Sequence, residues 1–141
     1  MNKKFTKNKV VVITGGAKKI GRSTALKLAE QGFNILIHTG GKSINDAKET
    51  IKLIKKFEVK AGHVQGDLAN IKTIKKIKIA AEQLGVPSIL INNAGLRIHD
   101  NFEKIKYKDW KKVMSVNVDA SFLCTQALIG HMTKQKWGRI I

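Results

Sequence analysis

Apolar and polar positions along this chain follow two periods. Short continuous apolar runs stand at Val10-Val11-Val12-Ile13, Ile35-Leu36-Ile37 and Ile89-Leu90-Ile91, the pattern of strands buried on both faces. Between them, apolar residues return every third or fourth position, the pattern of amphipathic helices. The first run predicts a strand over Lys9–Thr14. A helix from Ile20 to about Gln31 follows, carrying Ile20, Ala25, Leu28 and Ala29 inward and ending at Gly32. Asn34–Thr39 predicts a second strand. After a Gly40-Gly41 turn, Ser43 is placed to cap a helix with Ile44, Ala47, Ile51 and Ile54 on one side. Val59–Gln65 predicts a third strand, and Asn70 a cap for a helix bearing Ile71, Ile74, Ile77 and Ala81. Pro87–Asn92 reads as a fourth strand, residues 93–106 as a loop, and Lys108 to Thr133 as one long helix. Gly138-Arg139-Ile140-Ile141 reads as the start of a fifth strand.

Strands alternating with helices across short connections predict an α/β fold, a Rossmann-like doubly wound parallel sheet with helices on both faces. The expected layout is a basic lead over residues 1–8 and one domain over residues 9–141, incomplete on its C-terminal side. A chain of 141 residues is long enough to bury a core.

Composition narrows the partners. The net charge is +17, from 27 basic and 10 acidic residues, and a strongly basic chain raises nucleic acid as a partner. All the basic residues except Arg22, Arg97 and Arg139 are lysines, whereas base and phosphate recognition favours the arginine fork. These lysines are spread over the polar faces of helices with no aromatic platform among them, so solvated faces are the better reading and nucleic-acid binding is disfavoured. No apolar run matches a bilayer span, and residues 10–13 are too short for a signal-peptide core. No membrane partner and a cytoplasmic location are therefore expected. Cys124 is the lone cysteine, which excludes an internal disulfide and predicts a small core residue. His38, His63, His99 and His131 are too dispersed for a metal site, and no metal is expected.

The candidate chemistry begins at Thr14-Gly15-Gly16-Ala17-Lys18-Lys19-Ile20-Gly21, between the first strand and the first helix. Small residues there let backbone approach a pyrophosphate at a helix N-terminus. The spacing is not the usual GxGxxG, so this turn alone is equally an ordinary tight turn. Two further motifs sit at strand ends: Gly66-Asp67-Leu68, where a carboxylate could accept from an adenine amino group, and Asn92-Asn93-Ala94-Gly95, whose amides could hold the opposing loop. In isolation, Asp67 reads as a cap and Asn92-Asn93 as a turn.

Taken in order, and with Val116-Asn117-Val118 and Gly138-Arg139-Ile140-Ile141, these motifs resemble the classical short-chain dehydrogenase/reductase family. The likeness is to 3-oxoacyl-carrier-protein reductases, with some to pteridine reductases, and covers only the first part of the family domain. It implies a nicotinamide dinucleotide held by Thr14, Gly15, Lys18, Ile20, Gly21, Thr39, Asp67, Leu68, Asn93, Ala94 and Gly95. It also implies a supporting catalytic role for Asn117. Lys19 departs from the family's usual Gly. NADP(H) is favoured over NAD because Thr39 stands where an NAD site places an acid, while Lys18 and Lys42 attract a 2′-phosphate.

The implied activity is hydride transfer to or from a small carbonyl or alcohol substrate. In the family, the Ser and Tyr-x-x-x-Lys that carry it follow the strand begun by Gly-Arg-Ile-Ile, so none can be assigned within these residues. Tyr107 and Lys111 match that spacing but precede Asn117, and Tyr107 is expected merely to begin the long helix. These residues alone are expected to be inactive, with a non-catalytic nucleotide-binding module as the alternative. Homo-oligomers are expected of the full-length family. Here Val113, Val116, Val118 and Phe122 are expected to be partly exposed, giving marginal stability or association.

Overall fold

The computed structural model describes residues 3–41 and 43–141. A short helix, α1 (Lys3–Thr6), leads into β1 (Lys9–Ile13), α2 (Lys19–Glu30), β2 (Asn34–Thr39), α3 (Ile44–Lys55), β3 (Ala61–Gln65), α4 (Ile71–Leu84) and β4 (Val86–Ile91). A 3-10 turn at Phe102–Lys104 precedes a continuous helix made of α5 (Tyr107–Met114), a π turn (Ser115–Asp119) and α6 (Ala120–Lys134). The chain closes in β5 (Arg139–Ile140). All five strands are parallel, in the order β3-β2-β1-β4-β5. The order reverses between β1 and β4, which makes their carboxyl ends the topological switch point.

Alternation along the central strands divides the core. Val10, Val12, Leu36 and Leu90 face α4 and α6 and pack with Ile74, Ile77, Cys124 and Leu128. Val11, Ile13, Ile35 and Ile37 face α2 and α3 and pack with Ala25, Ala29, Ala47 and Ile54. The sheet is thus covered on both faces, and each fully buried Val, Leu or Ile contributes about 1.5–3 kcal/mol. Pro87 brings no N–H to the ladder, and the β1–β4 register shifts at its partner Val10.

Several local signals act as expected. Gly32 (φ 91) follows α2, with Gly32 N–H bonded to Ala29 O and Phe33 N–H to Leu28 O, which is a Schellman closure. Asn70 Oδ1 accepts from Lys72 N–H at 2.9 Å and caps α4. Others differ. Ile20 is 75% exposed instead of inward, because the buried stripe of α2 runs through Gly21, Ala25 and Ala29 and Ile20 lies one position, about 100°, off it. Ile71, also in a first turn, is exposed too. Ser43 precedes α3, but its side chain makes no cap bond. β3 begins at Ala61 instead of Val59 because the partner strand β2 pairs only from Ile35, opposite Ala61.

The helix Tyr107–Lys134 is 28 residues long and, by length and composition only, apolar enough over part of its length to cross a bilayer. Its buried stripe of Ala120, Cys124, Leu128 and Met132 packs on the sheet, so here it is a wall of the domain. Its other side leaves Val118, Phe122 and Ile129 exposed, with Val113 and Val116 half-buried. Burial pushes the Cys124 thiol up to about 11, as suits a core residue.

Candidate functional site: a cleft at the switch point

Four loops meet at the carboxyl ends of β1, β2, β3 and β4. After β1 the chain must turn sharply into α2, and Gly15 supplies the turn with φ 65. Gly16 N–H then bonds to His38 O at 3.0 Å, tying the turn to β2. A Cβ on Gly21 would overlap Gly15 O and lie 2.8 Å from Asn93 Nδ2, so the first turn of α2 sits directly against the loop. Ala17 O accepts from Arg22 Nε at 3.0 Å and from Thr50 Oγ1 at 2.8 Å. Arg22 and Thr50 thus brace the turn from α2 and α3; both read as ordinary helix residues in the sequence, because only tertiary packing brings them to Ala17.

The loop after β4 is locked to this turn. Asn93 Nδ2 donates to Thr14 O and to Gly15 O, each at 3.0 Å. Ala94 N–H donates to Thr14 Oγ1 at 3.0 Å. With side chains carrying the cross-links, the backbone faces of Gly15, Ala94 and Gly95 are left lining a cleft of about 910 Å³, whose far wall includes Gly66, Asp67 and Leu68. Asp67 Oδ1 accepts from Ala69 N–H at 2.9 Å in an Asx turn, and Leu68 is buried beneath it.

At the mouth, Lys18 precedes α2 with no side-chain cap bond, and the first turn of α2 contains no acidic residue. The leading amides of α2 are therefore free to receive an anion, with the helix dipole favouring one. Lys18 is exposed, its Nζ 3.9 Å from Asp46 Oδ2. Lys42, the other lysine expected to attract a 2′-phosphate, lies outside the described residues.

Lys19 adopts φ 51, the left-handed region where glycine is at ease. Its departure from glycine is thus a local strain of about 1 kcal/mol. Lys19→Gly is expected to raise the urea midpoint by the equivalent of about 0.5 kcal/mol, once glycine's larger unfolded-state entropy is subtracted; a lowered midpoint would contradict it.

Two histidines underlie the outer wall. His38 is 2% exposed and its Nε2 lies 2.9 Å from Gly66 O. Burial lowers its pKa, with His63 adding to the shift, while the Gly66 bond and Asp67 oppose it. His63 Nε2 lies 2.7 Å from Thr39 Oγ1, so the Thr39 hydroxyl is engaged inside the sheet, and burial lowers the pKa of His63 as well. A native state that keeps both rings neutral binds fewer protons than the unfolded chain. Their contribution is complete above the ordinary histidine value of 6.5 and lost as pH falls from there through the lowered folded values. The thermal midpoint should therefore drop as pH is lowered below that value, and His38→Phe should weaken the dependence.

On the opposite flank of the cleft, Asn117 sits in the π turn of the long helix. Its Oδ1 accepts from Leu96 N–H at 2.8 Å and its Nδ2 donates to Leu96 O at 3.0 Å, clamping the helix to the loop after β4. A second cavity of about 530 Å³ adjoins it, lined by Gly95, Arg97, Trp110, Val113 and Asn117. Tyr107 begins α5, is exposed, and has Lys111 Nζ 5.6 Å from its ring centroid. Among the described residues no cluster of three metal-binding side chains occurs.

A glycine turn, an open helix N-terminus and a cleft at the switch point define a Rossmann-type α/β protein. The family model described as short chain dehydrogenase matches residues 9–141, and the chain belongs to that family, whose members bind a nicotinamide dinucleotide. It is 35% identical over 138 residues to the (2S)-[(R)-hydroxy(phenyl)methyl]succinyl-CoA dehydrogenase subunit BbsD of Thauera aromatica, covering 95% of this chain and 54% of that protein. It is 34% identical over 139 residues to the 3-oxoacyl-[acyl-carrier-protein] reductase FabG of Staphylococcus aureus, covering 98% of this chain and 55% of the relative. The acetoin dehydrogenase YohF of Salmonella typhimurium superposes with a TM-score of 0.87 at 34% identity, over 94% of this chain and 53% of the other. An NAD+-bound xylitol dehydrogenase superposes with a TM-score of 0.84 at 26% identity, over 96% of this chain and 52% of the other. The chain spans about half the length of the relatives it matches.

Proposed function

We propose that residues 9–141 form the dinucleotide-binding part of an NADPH-preferring oxidoreductase acting on a small carbonyl or alcohol substrate. The observation that carries the reading is the fit at α2: Gly21 and Gly15 leave no side chain where the turn meets the Asn93 loop, and the helix N-terminus is open beside a cleft of about 910 Å³. These features suit a pyrophosphate at the amides of Ile20 and Gly21, with the adenosine end toward Asp67 and Leu68 and the nicotinamide end toward Gly95 and Asn117. When bound, the nicotinamide supplies or receives a hydride. Thr14, Asn93 and Ala94 hold the two loops at a fixed spacing, which orients the ring without cost at the moment of reaction. Asn117 supports the floor of that end through Leu96 and performs no proton transfer itself. The proton donor of the family, a Tyr paired with a Lys, is not assigned within residues 1–141: Tyr107 is exposed and lines neither cavity. Residues 1–141 by themselves are therefore expected to bind the dinucleotide without turnover.

The preference for NADPH rests on charge. Thr39 ends β2 without a carboxylate, and its hydroxyl is occupied by His63, so nothing there repels a 2′-phosphate. Lys18 is an exposed cation within the turn, with Asp46 Oδ2 3.9 Å from its Nζ. Calorimetric titration is expected to show NADPH binding more tightly than NADH by about fivefold, with Lys18→Ala removing most of the difference. Equal or tighter binding of NADH would overturn the preference.

A further inference from the structure

The hydrogen bonding of His38 is incomplete in a way that bears on base recognition. Its Nε2 faces the carbonyl oxygen of Gly66 at 2.9 Å. A carbonyl only accepts, so Nε2 must carry the proton, and a neutral ring then has a bare acceptor at Nδ1. That Nδ1 is buried and has no hydrogen-bond partner among the described residues. The ring lines the same cleft as Gly66, Asp67 and Leu68. A buried acceptor without a donor is costly, and a ligand donor arriving there recovers the loss. Burial and the neighbouring His63 from β3 favour a neutral ring, and the opposing pull of Gly66 O and Asp67 does not outweigh them.

We infer that His38 is a specificity residue of this cleft, its Nδ1 accepting a hydrogen bond from the exocyclic amino group of adenine so that the adenine dinucleotide is selected over its deaminated, hypoxanthine form. The inference rests on the dinucleotide reading above. An adenine amino group carries two hydrogens, so His38 Nδ1 and the Asp67 carboxylate can both be satisfied by one base. Hypoxanthine presents a carbonyl oxygen at that position, which would meet two acceptors.

The test compares NADPH with reduced nicotinamide hypoxanthine dinucleotide phosphate, titrated calorimetrically against the 141-residue chain. NADPH should bind at least about tenfold more tightly. In His38→Phe, which keeps a buried ring but removes the acceptor, that preference should shrink by about fivefold, through weaker NADPH binding together with tighter binding of the hypoxanthine form, which then meets one acceptor instead of two. A nitrogen-15 spectrum supplies a readout that a merely structural role would not move. The unprotonated Nδ1 resonance of His38 should shift upfield on adding adenosine 2′,5′-bisphosphate and stay in place with the inosine analogue. An unshifted Nδ1, or a preference identical in the wild-type and His38→Phe chains, overturns the inference while leaving the dinucleotide site intact. If neither dinucleotide binds the wild-type chain, the underlying reading fails and this one with it. Should His38→Phe not fold, the nitrogen-15 result on the wild-type chain decides.

Discussion

Gly21→Ala is expected to abolish measurable dinucleotide binding and to destabilise the chain by about 2–4 kcal/mol. The added methyl would overlap Gly15 O and crowd Gly16 Cα at 2.9 Å, both of them backbone, and Asn93 Nδ2 at 2.8 Å. Backbone on two sides cannot yield as a flexible side chain would, so the glycine turn must open or α2 must move. Either response displaces the amides that would receive the pyrophosphate. Gly130→Ala is the matched control. Gly130 lies within α6, a Cβ there meets nothing within 4 Å, and the change should stabilise by about 0.5–1 kcal/mol through helix propensity. Urea denaturation of the two variants, with NADPH titration of each, checks the pair; equal behaviour would mean that the close approach at Gly21 has no consequence.

Asn93→Asp should have the next largest effect. The substitution keeps the shape of the side chain but replaces the Nδ2 that donates to Thr14 O and Gly15 O with an oxygen. Three acceptors then face one another across the two loops, at a half-buried position. The expected loss is about 3 kcal/mol near neutral pH, from two hydrogen bonds and an uncompensated charge. Binding of a doubly anionic pyrophosphate should weaken by at least about tenfold, because the new carboxylate stands next to its seat. The introduced carboxyl would have its pKa raised by the carbonyls, so acid should restore part of the stability by protonating it. Denaturation midpoints at two pH values test this, and a variant as stable as the parent would show that the Asn93 bridge does not hold the loops.

Much of the frame was legible because its signals are local. The run Asn34–Thr39 became β2 with the same limits, since its flanks Gly32 and Gly40 break any helix or extension. The doubly wound sheet followed from alternating strand and helix patterns, and the Asn92-Asn93 motif from its place beside β1. What escaped depends on distant parts of the chain. Ile20 looks like part of the apolar face of α2, yet the stripe that is buried runs through Gly21, a residue without a side chain to mark it. The π turn around Asn117 interrupts a helix whose sequence reads as uninterrupted, and the Leu96 clamp that accompanies it lies 21 residues away. Lys19 gives no sign of its left-handed conformation beyond its departure from a family glycine. His38 and His63 read in the sequence as scattered strand residues, because only the β2–β3 register brings them together. Arg22 and Thr50 were missed for the same reason: Ala17 O is a backbone acceptor, and nothing in a side-chain pattern marks it.

The central claim, that the cleft between the carboxyl ends of β1 and β4 receives a nicotinamide dinucleotide, is tested most directly by amide hydrogen exchange with and without NADPH. Exchange should slow at residues 14–21, 66–68 and 93–96 alone, leaving the amino ends of the strands unchanged. No change on adding NADPH, or protection centred on the lysine-rich outer faces of α3 and α4, would contradict it.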